Sequence, residues 1–464
     1  MTLTIRNAEI EGRPDLDARL SDGRIEAIGP GLVPAGEVID AAGGALIPGL
    51  IDHHIHLMAT AARAGSVDLE GAASPAETVA RLRAGLEGLT PGAWLRAVGF
   101  HDFGQDPPDR RDLDRIAPDH PLRVQHRTGA LWILNSRAID LVMDADAPAA
   151  LERDADGAPT GRLWRGDAWL QDRIGRTAPD LARLGADLAA LGVTGVTDAS
   201  AGTDASAAAV LADAVRSGAL PQRLCLMSAG PLEAPADGAF RVGPVKILLD
   251  DRDLPPPNEI EGRIAAARAA GRAVAVHCVT AAELAVTLAA FEAAGARPGD
   301  RIEHGGVIPA PAMGQIASLG LTVVTQPAFV RSRGDRWLAE VDPAEQPDLW
   351  RAATLVAAGI PLAAGSDAPY GPTDPWLAIA AAMDRRTGTG RDLGPAERLD
   401  PAAALGLYFG PFEAPGGPAR RVVVGAAADL CLLRRPLAPA LAAPAADLVA
   451  ATLVGGVCVW RREV

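Results

Sequence analysis

The stretch Pro48-Gly49-Leu50-Ile51-Asp52-His53-His54-Ile55-His56 reads as a short apolar strand that ends in three histidines. Residues two apart on a strand point to the same face, so His54 and His56 aim together while His53 points the opposite way. Two imidazoles on one face invite a divalent cation. A His-x-His pair also arises by accident on surface strands, but this chain holds only eight histidines, and three of them fall here.

Seven more strand-like runs follow at 193–199, 223–228, 244–250, 273–278, 301–305, 321–326 and 361–367, most of them trailed by Ala- and Leu-rich helical stretches. Strands alternating with helices form right-handed βαβ units and a parallel sheet. Eight such units predict an α/β fold of the closed (β/α)8 (TIM) barrel type over residues 48–419. The interval between the first and second strands is far longer than the others. It contains a helical pattern at 76–89, a strand pattern at 122–126 and a turn at Asp154-Ala155-Asp156-Gly157, and residues 60–185 are expected to form an insertion over the barrel mouth. Residues 1–47 alternate apolar and polar in short runs, and 420–464 repeat that style, so both ends are expected to share one small β-sandwich domain. The Ala/Pro-rich tract near residue 440 reads as a loop.

The 464 residues are 48% hydrophobic and 22% charged, as in a soluble globular protein with a large core. Acidic residues outnumber basic ones, 58 to 44, for a net charge of −14. Such a surface repels phosphate backbones and anionic lipid, so neither nucleic acid nor a membrane surface is an expected partner. No apolar run reaches the ~18 residues of a membrane span. The polar N-terminus does not resemble a signal peptide. Cys225, Cys278, Cys431 and Cys458 lie far apart, in no disulfide or metal spacing, and read as reduced thiols of a cytoplasmic protein.

Lys246 is the single lysine among the 44 basic residues; all the others are arginine. A solvated positive charge tolerates that exchange, but a site needing a deprotonatable amine does not, because guanidinium stays protonated. Chance survival at a neutral site is the competing explanation. Lys246 lies in GPVKILLD, His277 in AVAVHCV, His304 in DRIEHGGV and Asp367 in PLAAGSDAP. A single buried histidine is more often a core residue than a ligand, and a single strand-end aspartate is often a helix cap. Together with His54 and His56 these residues come from five of the eight strands, at the face where barrel enzymes place catalysis.

The sequence resembles the amidohydrolase superfamily of metal-dependent hydrolases, in the branch (amidohydrolase family 3) that includes N-substituted formamide deformylases. The resemblance rests on Pro-Gly-x-x-Asp-x-His-x-His at 48–56, VDLEGAAS at 67–74, DLDRIAPDHP at 112–121 and DADGAPTG at 154–161. It continues through LGVTGVTDA at 191–199, the Val-Lys strand, RIEH at 301–304, Gln326-Pro327, GSDAP at 365–369, and the returning strands ADLCLL and LVGGVCV. It implies a binuclear site with two divalent metal ions, zinc by expectation. His54, His56 and Asp367 would bind one ion, His277 and His304 the other, and Lys246, carboxylated by CO2, would bridge them. It further implies a metal-activated hydroxide, with Asp367 as proton shuttle, cleaving a C–N bond (amide, formamide or cyclic amide) of a small-molecule substrate. A deaminase or C–O hydrolase would use the same architecture, and an inactive barrel serving as a binding module is the reading from another class.

The chain departs from that family at Thr128-Gly129-Ala130, where relatives often carry Asp-Gly-His, and a bulky Trp132 stands close by. His101 and His126 lie in the insertion and are candidates to face the pocket. Aromatic residues are few (8 Trp, 7 Phe and 2 Tyr), so Trp132, Phe329, Trp337, Tyr370 and Trp376 are candidate pocket-lining residues, with ordinary packing as the alternative. An apolar-rich acidic enzyme of this kind is compatible with a homodimer.

Overall fold

A computed structural model describes residues 2–144, 146–174 and 179–463. Eight parallel strands form one sheet in strict sequence order: β1 (Leu50–Ile55), β2 (Val193–Asp198), β3 (Arg223–Ser228), β4 (Arg241–Ile247), β5 (Val274–Cys278), β6 (Arg301–His304), β7 (Thr322–Thr325) and β8 (Leu362–Ala364). All eight predicted strands are present. Every residue of β1, β2, β6, β7 and β8 is buried, as expected of strands covered on both faces. Helices follow β2 (Ala205–Arg216), β4 (Pro257–Ala269), β5 (Ala281–Ala294), β6 (Ala310–Leu319), β7 (Ala328–Glu340) and β8 (Pro375–Asp384). Between β3 and β4 the chain crosses without a helix, an exception to the expected alternation. The helix after β5 begins with a capping box in which Thr280 and Glu283 each satisfy the other's backbone N–H.

The ring closes where β8 returns to β1. The backbone N–H of Asp367 donates to His54 O at 2.7 Å, and that of His56 donates to Ala368 O at 2.8 Å. Asp52 Oδ1 ties the same seam by accepting from the N–H groups of His54 and Ser366, both at 3.0 Å. Gly365 makes this approach feasible: a Cβ there would lie 2.5 Å from His54 N and 2.6 Å from its Cβ.

The two ends of the chain meet in a second sheet. Ala45–Pro48 pairs with Thr2–Ile10 on one side and with Leu430–Leu433 on the other. Arg13–Ser21, Arg24–Gly29, Glu37–Asp40, Val449–Val454 and Val457–Arg461 complete it. Strands from both ends share one core, including Ile5, Ile10, Leu20, Ile39, Leu430, Leu432 and Leu453. Hydrogen bonding links all of these strands into a single sheet, so the pairing of the ends is observed as one continuous sheet around that core. The tract near 440 is not a loop: Leu437–Ala442 is a short helix, because Leu and Ala are strong helix formers and Pro436 stands at its entry.

The chain divides into two compact units, Met1–Leu57 with Leu181–Val464, and Met58–Asp180. The second spans nearly the same stretch as residues 60–185; residues 175–178 near its end lie outside the described residues. It carries a six-stranded sheet, the helix Pro75–Leu86, the strand Leu122–His126 and a hairpin joining Leu151–Arg153 to Pro159–Trp164. Asn135 is a structural centre of this unit: its side chain accepts from Leu122 N and Ala138 N and donates to Ala117 O and His120 O. No helix among the described residues is long and apolar enough to cross a membrane. The four cysteines are unbonded, and burial pushes the Cys278 thiol up to about 12 and that of Cys225 to about 11.

Gly365→Ala is expected to destabilise the protein by about 1–3 kcal/mol, the usual cost of overpacking a tight interior. Denaturant unfolding of the variant against the parent measures it. Unchanged stability would mean the β8–β1 seam can open without cost.

Candidate metal centre

The ends of the barrel strands converge on one cluster. His54, His56 and Asp367 offer ligand atoms that all lie within 4.8 Å of one another. Asp367 Oδ1 is 3.1 Å from His56 Nε2 and 3.4 Å from His54 Nε2, while its Oδ2 is 3.9 Å from His304 Nδ1. The His304 ring lies 4.8 Å from that of His54 and 4.5 Å from that of His277. Lys246 is 1% exposed, and its Nζ has no hydrogen-bond partner among the described residues. The structure therefore gathers the histidines and the aspartate nominated from sequence around one interior, and it places the lysine near enough that its charge depresses the histidines.

Two of these positions need unusual backbone. His304 has φ 73 and Asp367 φ 51, both in the left-handed region. In a regular strand Glu303 and His304 would face opposite sides. The turn at His304 lets both reach the interior, at a cost of about 1–3 kcal/mol carried by the surrounding structure.

Burial sets the protonation states. It is the largest cause that brings His277 down to about 4 and His304 to about 3, with the nearby Lys246 charge acting in the same direction. His54 is driven well below its ordinary value by the same two causes. Lys246 is lowered by burial, against the opposing pull of Glu303 and Asp367. Burial pushes the Asp367 carboxyl up, but the His56 hydrogen bond and the imidazoles around it outweigh this and hold it below the usual range. Neutral imidazoles and an ionised carboxylate are the forms that ligate cations. A buried amine and a buried imidazole Nε2 without partners, beside a carboxylate, fit a divalent metal better than they fit a self-satisfied core.

Sequence reasoning missed the residues that hold the imidazoles. Each of three rings has its Nδ1 bonded to a non-ligand: His54 to Glu303 Oε2, His56 to Ser200 Oγ at 3.1 Å, and His304 to Gln326 Oε1 at 2.9 Å. Asp198 accepts from the N–H groups of Leu57 and Ser200 and so fixes the strand end that presents Ser200. Asp52, at the seam, is pushed up to about 6, by burial above all. Their signal was present as the acidic or polar residue beside each ligand, but no spacing rule separates such neighbours from ordinary strand residues.

The proposed substrate contacts fare unevenly. Tyr370 is 52% exposed, with its ring edge-on to His56 at 5.8 Å. Phe329 is instead a core residue beside Val330, Leu349 and Trp350, with the Arg333 guanidinium 3.9 Å from its ring centroid. Trp337 stacks on Trp350 in that cluster, and Trp376 is fully buried with its indole N–H on Leu191 O. Trp132 lies in the insertion's core, where its indole N–H donates to Asp167 at 2.7 Å. His126 bonds Thr128, and both it and His101 flank Asp102. Apolar bulk with few polar atoms is as suited to a core as to a pocket, which is why these residues misled. Leu248 and Val279, two residues beyond Lys246 and His277, are part-exposed apolar side chains that sequence reasoning did not single out.

Known proteins resemble this chain in sequence and fold. The chain is 26% identical to the N-substituted formamide deformylase of Arthrobacter pascens, over 96% of this chain and 94% of that protein. It is 26% identical to a putative amidohydrolase, YtcJ, of Bacillus subtilis (strain 168), over 81% of this chain and 80% of that one. An uncharacterized metal-dependent hydrolase from Pyrococcus horikoshii OT3 superposes with a TM-score of 0.75 at 21% identity, covering 94% and 98% of the two chains. Sequence features matching the amidohydrolase family run from residue 37 to 460, through the whole barrel and the strands of the second sheet from Glu37–Asp40 onward, and the chain belongs to that family of enzymes.

Proposed function

We propose that the protein is a metal-dependent hydrolase that cleaves the C–N bond of a small amide, formamide or cyclic amide. The observation that carries this reading is the interior cluster of His54, His56, His277, His304 and Asp367 beside the chain's one lysine, whose buried Nζ has no hydrogen-bond partner among the described residues. The likeness to a formamide deformylase over nearly the full length of both proteins supports it, as does a weaker structural likeness to N-isopropylammelide isopropylaminohydrolase from Burkholderia multivorans (TM-score 0.54, 18% identity). Four unbonded cysteines support a reducing, cytoplasmic setting.

His54, His56 and Asp367 would hold one divalent ion, and His277 and His304 a second, with zinc the expected metal. Lys246 would bridge them after its neutral amine adds to CO2 and loses a proton, which converts a cation into an anionic oxygen ligand. When bound, the ions polarise the substrate carbonyl and lower the pKa of water towards neutrality. The chain's own part is to move the proton. Asp367 Oδ1 faces the two imidazoles, which leaves Oδ2 to take a proton from the attacking water and return it to the leaving nitrogen as the C–N bond breaks. A substrate panel scored for released formate, amine or ammonia tests the reading. Ammonia alone would point to a deaminase, and no turnover with no bound metal would leave an inert barrel.

Lys246→Arg is expected to abolish activity and to lower metal content from about two ions per chain, because guanidinium forms no stable carbamate. Metal analysis and turnover check this, and near-native turnover would remove the bridging role. Partial recovery of Lys246→Ala by a short carboxylic acid is the expected complement. Asp367→Asn is expected to lose at least ~100-fold in kcat, the lower range of general acid–base contributions, with metal content and melting temperature largely kept. A helix cap would tolerate Asn, since the two cap about equally well, so parent-like turnover would favour a structural role.

A further inference from the structure

We infer that Glu303, held by Arg301, is a positioning residue that sets the tautomer and orientation of His54, so that Nε2 and not Nδ1 is offered to the metal. This rests on the reading of the cluster as a metal site. Arg301, Glu303 and His54 are all at most 1% exposed and form a chain across the barrel interior, from β6 to β1, which are not neighbours in the sheet. Arg301 Nε bonds Glu303 Oε1, and Glu303 Oε2 bonds His54 Nδ1. Arg301 Nη2 donates to His53 O at 2.9 Å, so the guanidinium is also anchored to β1 one residue before the ring it steers.

The direction of these bonds follows from the groups themselves. A guanidinium can only donate, so Glu303 Oε1 accepts. A carboxylate accepts through both oxygens, so Nδ1 of His54 carries the proton. The lone pair is then on Nε2, which is buried, has no hydrogen-bond partner, and faces Asp367 Oδ1 at 3.4 Å. The other two held rings have weaker instructions. The Ser200 hydroxyl donates or accepts, and the Gln326 amide does either according to its flip. Of these three Nδ1 partners, Glu303 is the one whose chemistry allows a single answer. A buried ion pair is weak evidence for stability, since desolvation offsets much of the attraction. Carboxylate partners of ligating histidines are worth roughly 10–100-fold in metal affinity.

Glu303→Gln gives a sharp test. Its amide would face two donors, Arg301 Nε and His54 Nδ1–H, with one oxygen to offer. Arg301 has no alternative but to donate, so the oxygen turns to it and the NH2 turns to His54. The imidazole must then accept at Nδ1 and carry its proton on Nε2. In metal-free protein labelled with 15N-histidine, with His54 assigned by its loss in His54→Gln, we expect an Nδ1–H ring in the parent and an Nε2–H ring in the variant. Chelator competition should show metal binding weaker by roughly 10–100-fold, with the metal-free melting temperature little changed. A variant that keeps both the parent tautomer and the parent metal affinity overturns the inference, and so does a loss of stability with those two unaltered. If Glu303→Gln does not fold, the parent spectrum still decides, because an Nε2–H tautomer there contradicts the proposal. A parent that binds no divalent ion would defeat the proposed function, while the tautomer comparison would still report on Glu303 and His54.

Discussion

The hydrogen bond from Asp367 N to His54 O, where the eighth strand returns to the first, is the contact on which the rest of the site depends. These two residues are over three hundred positions apart, and each carries a side chain of the cluster. Fixing their backbones at 2.7 Å places the carboxylate beside two imidazoles without help from either side chain. The approach needs Gly365, where a Cβ would strike His54, and it is reinforced by Asp52, which bonds both strands. Barrel closure and assembly of the cluster are the same event.

Burial then does the chemical work. Four imidazoles, a lysine and an aspartate in water would carry their ordinary charges and repel or solvate one another. Inside the barrel, desolvation discharges His277, His304 and His54, and it lowers Lys246. Asp367 is held ionised by the groups around it. An interior where His54, His277 and His304 are held toward the neutral form, beside the Asp367 carboxylate and an amine with no hydrogen-bond partner among the described residues, is poorly satisfied by itself, and a cation would satisfy it.

Two residues of the cluster are held in left-handed backbone. His304 takes a left-handed conformation so that two consecutive residues, Glu303 and His304, both enter the interior, one to hold a ring and the other to offer one. Asp367 does the same at the end of the eighth strand. Membership of the amidohydrolase family accords with the barrel, and Tyr370, edge-on to His56, is a part-exposed ring beside the cluster.

Local information in the sequence was enough for the eight strands, for a helix expected at 76–89 and found at 75–86, and for the turn at 154–157, because each depends on period or turn chemistry; the ligand set came from the constellation of residues and the family resemblance. The isolated lysine stood out by residue type alone, as the one lysine among 44 basic residues. The aromatic residues were not legible, since Phe329, Trp132 and Trp376 have the same composition signal in a core as in a pocket, and only packing distinguishes the two. Nor was the role of Glu303, Ser200 or Gln326, which are ordinary strand and loop residues until the barrel closes. Sequence determines which side chains can ligate; the tertiary structure decides which nitrogen each ring presents, because that choice is made by hydrogen-bond partners remote in the chain.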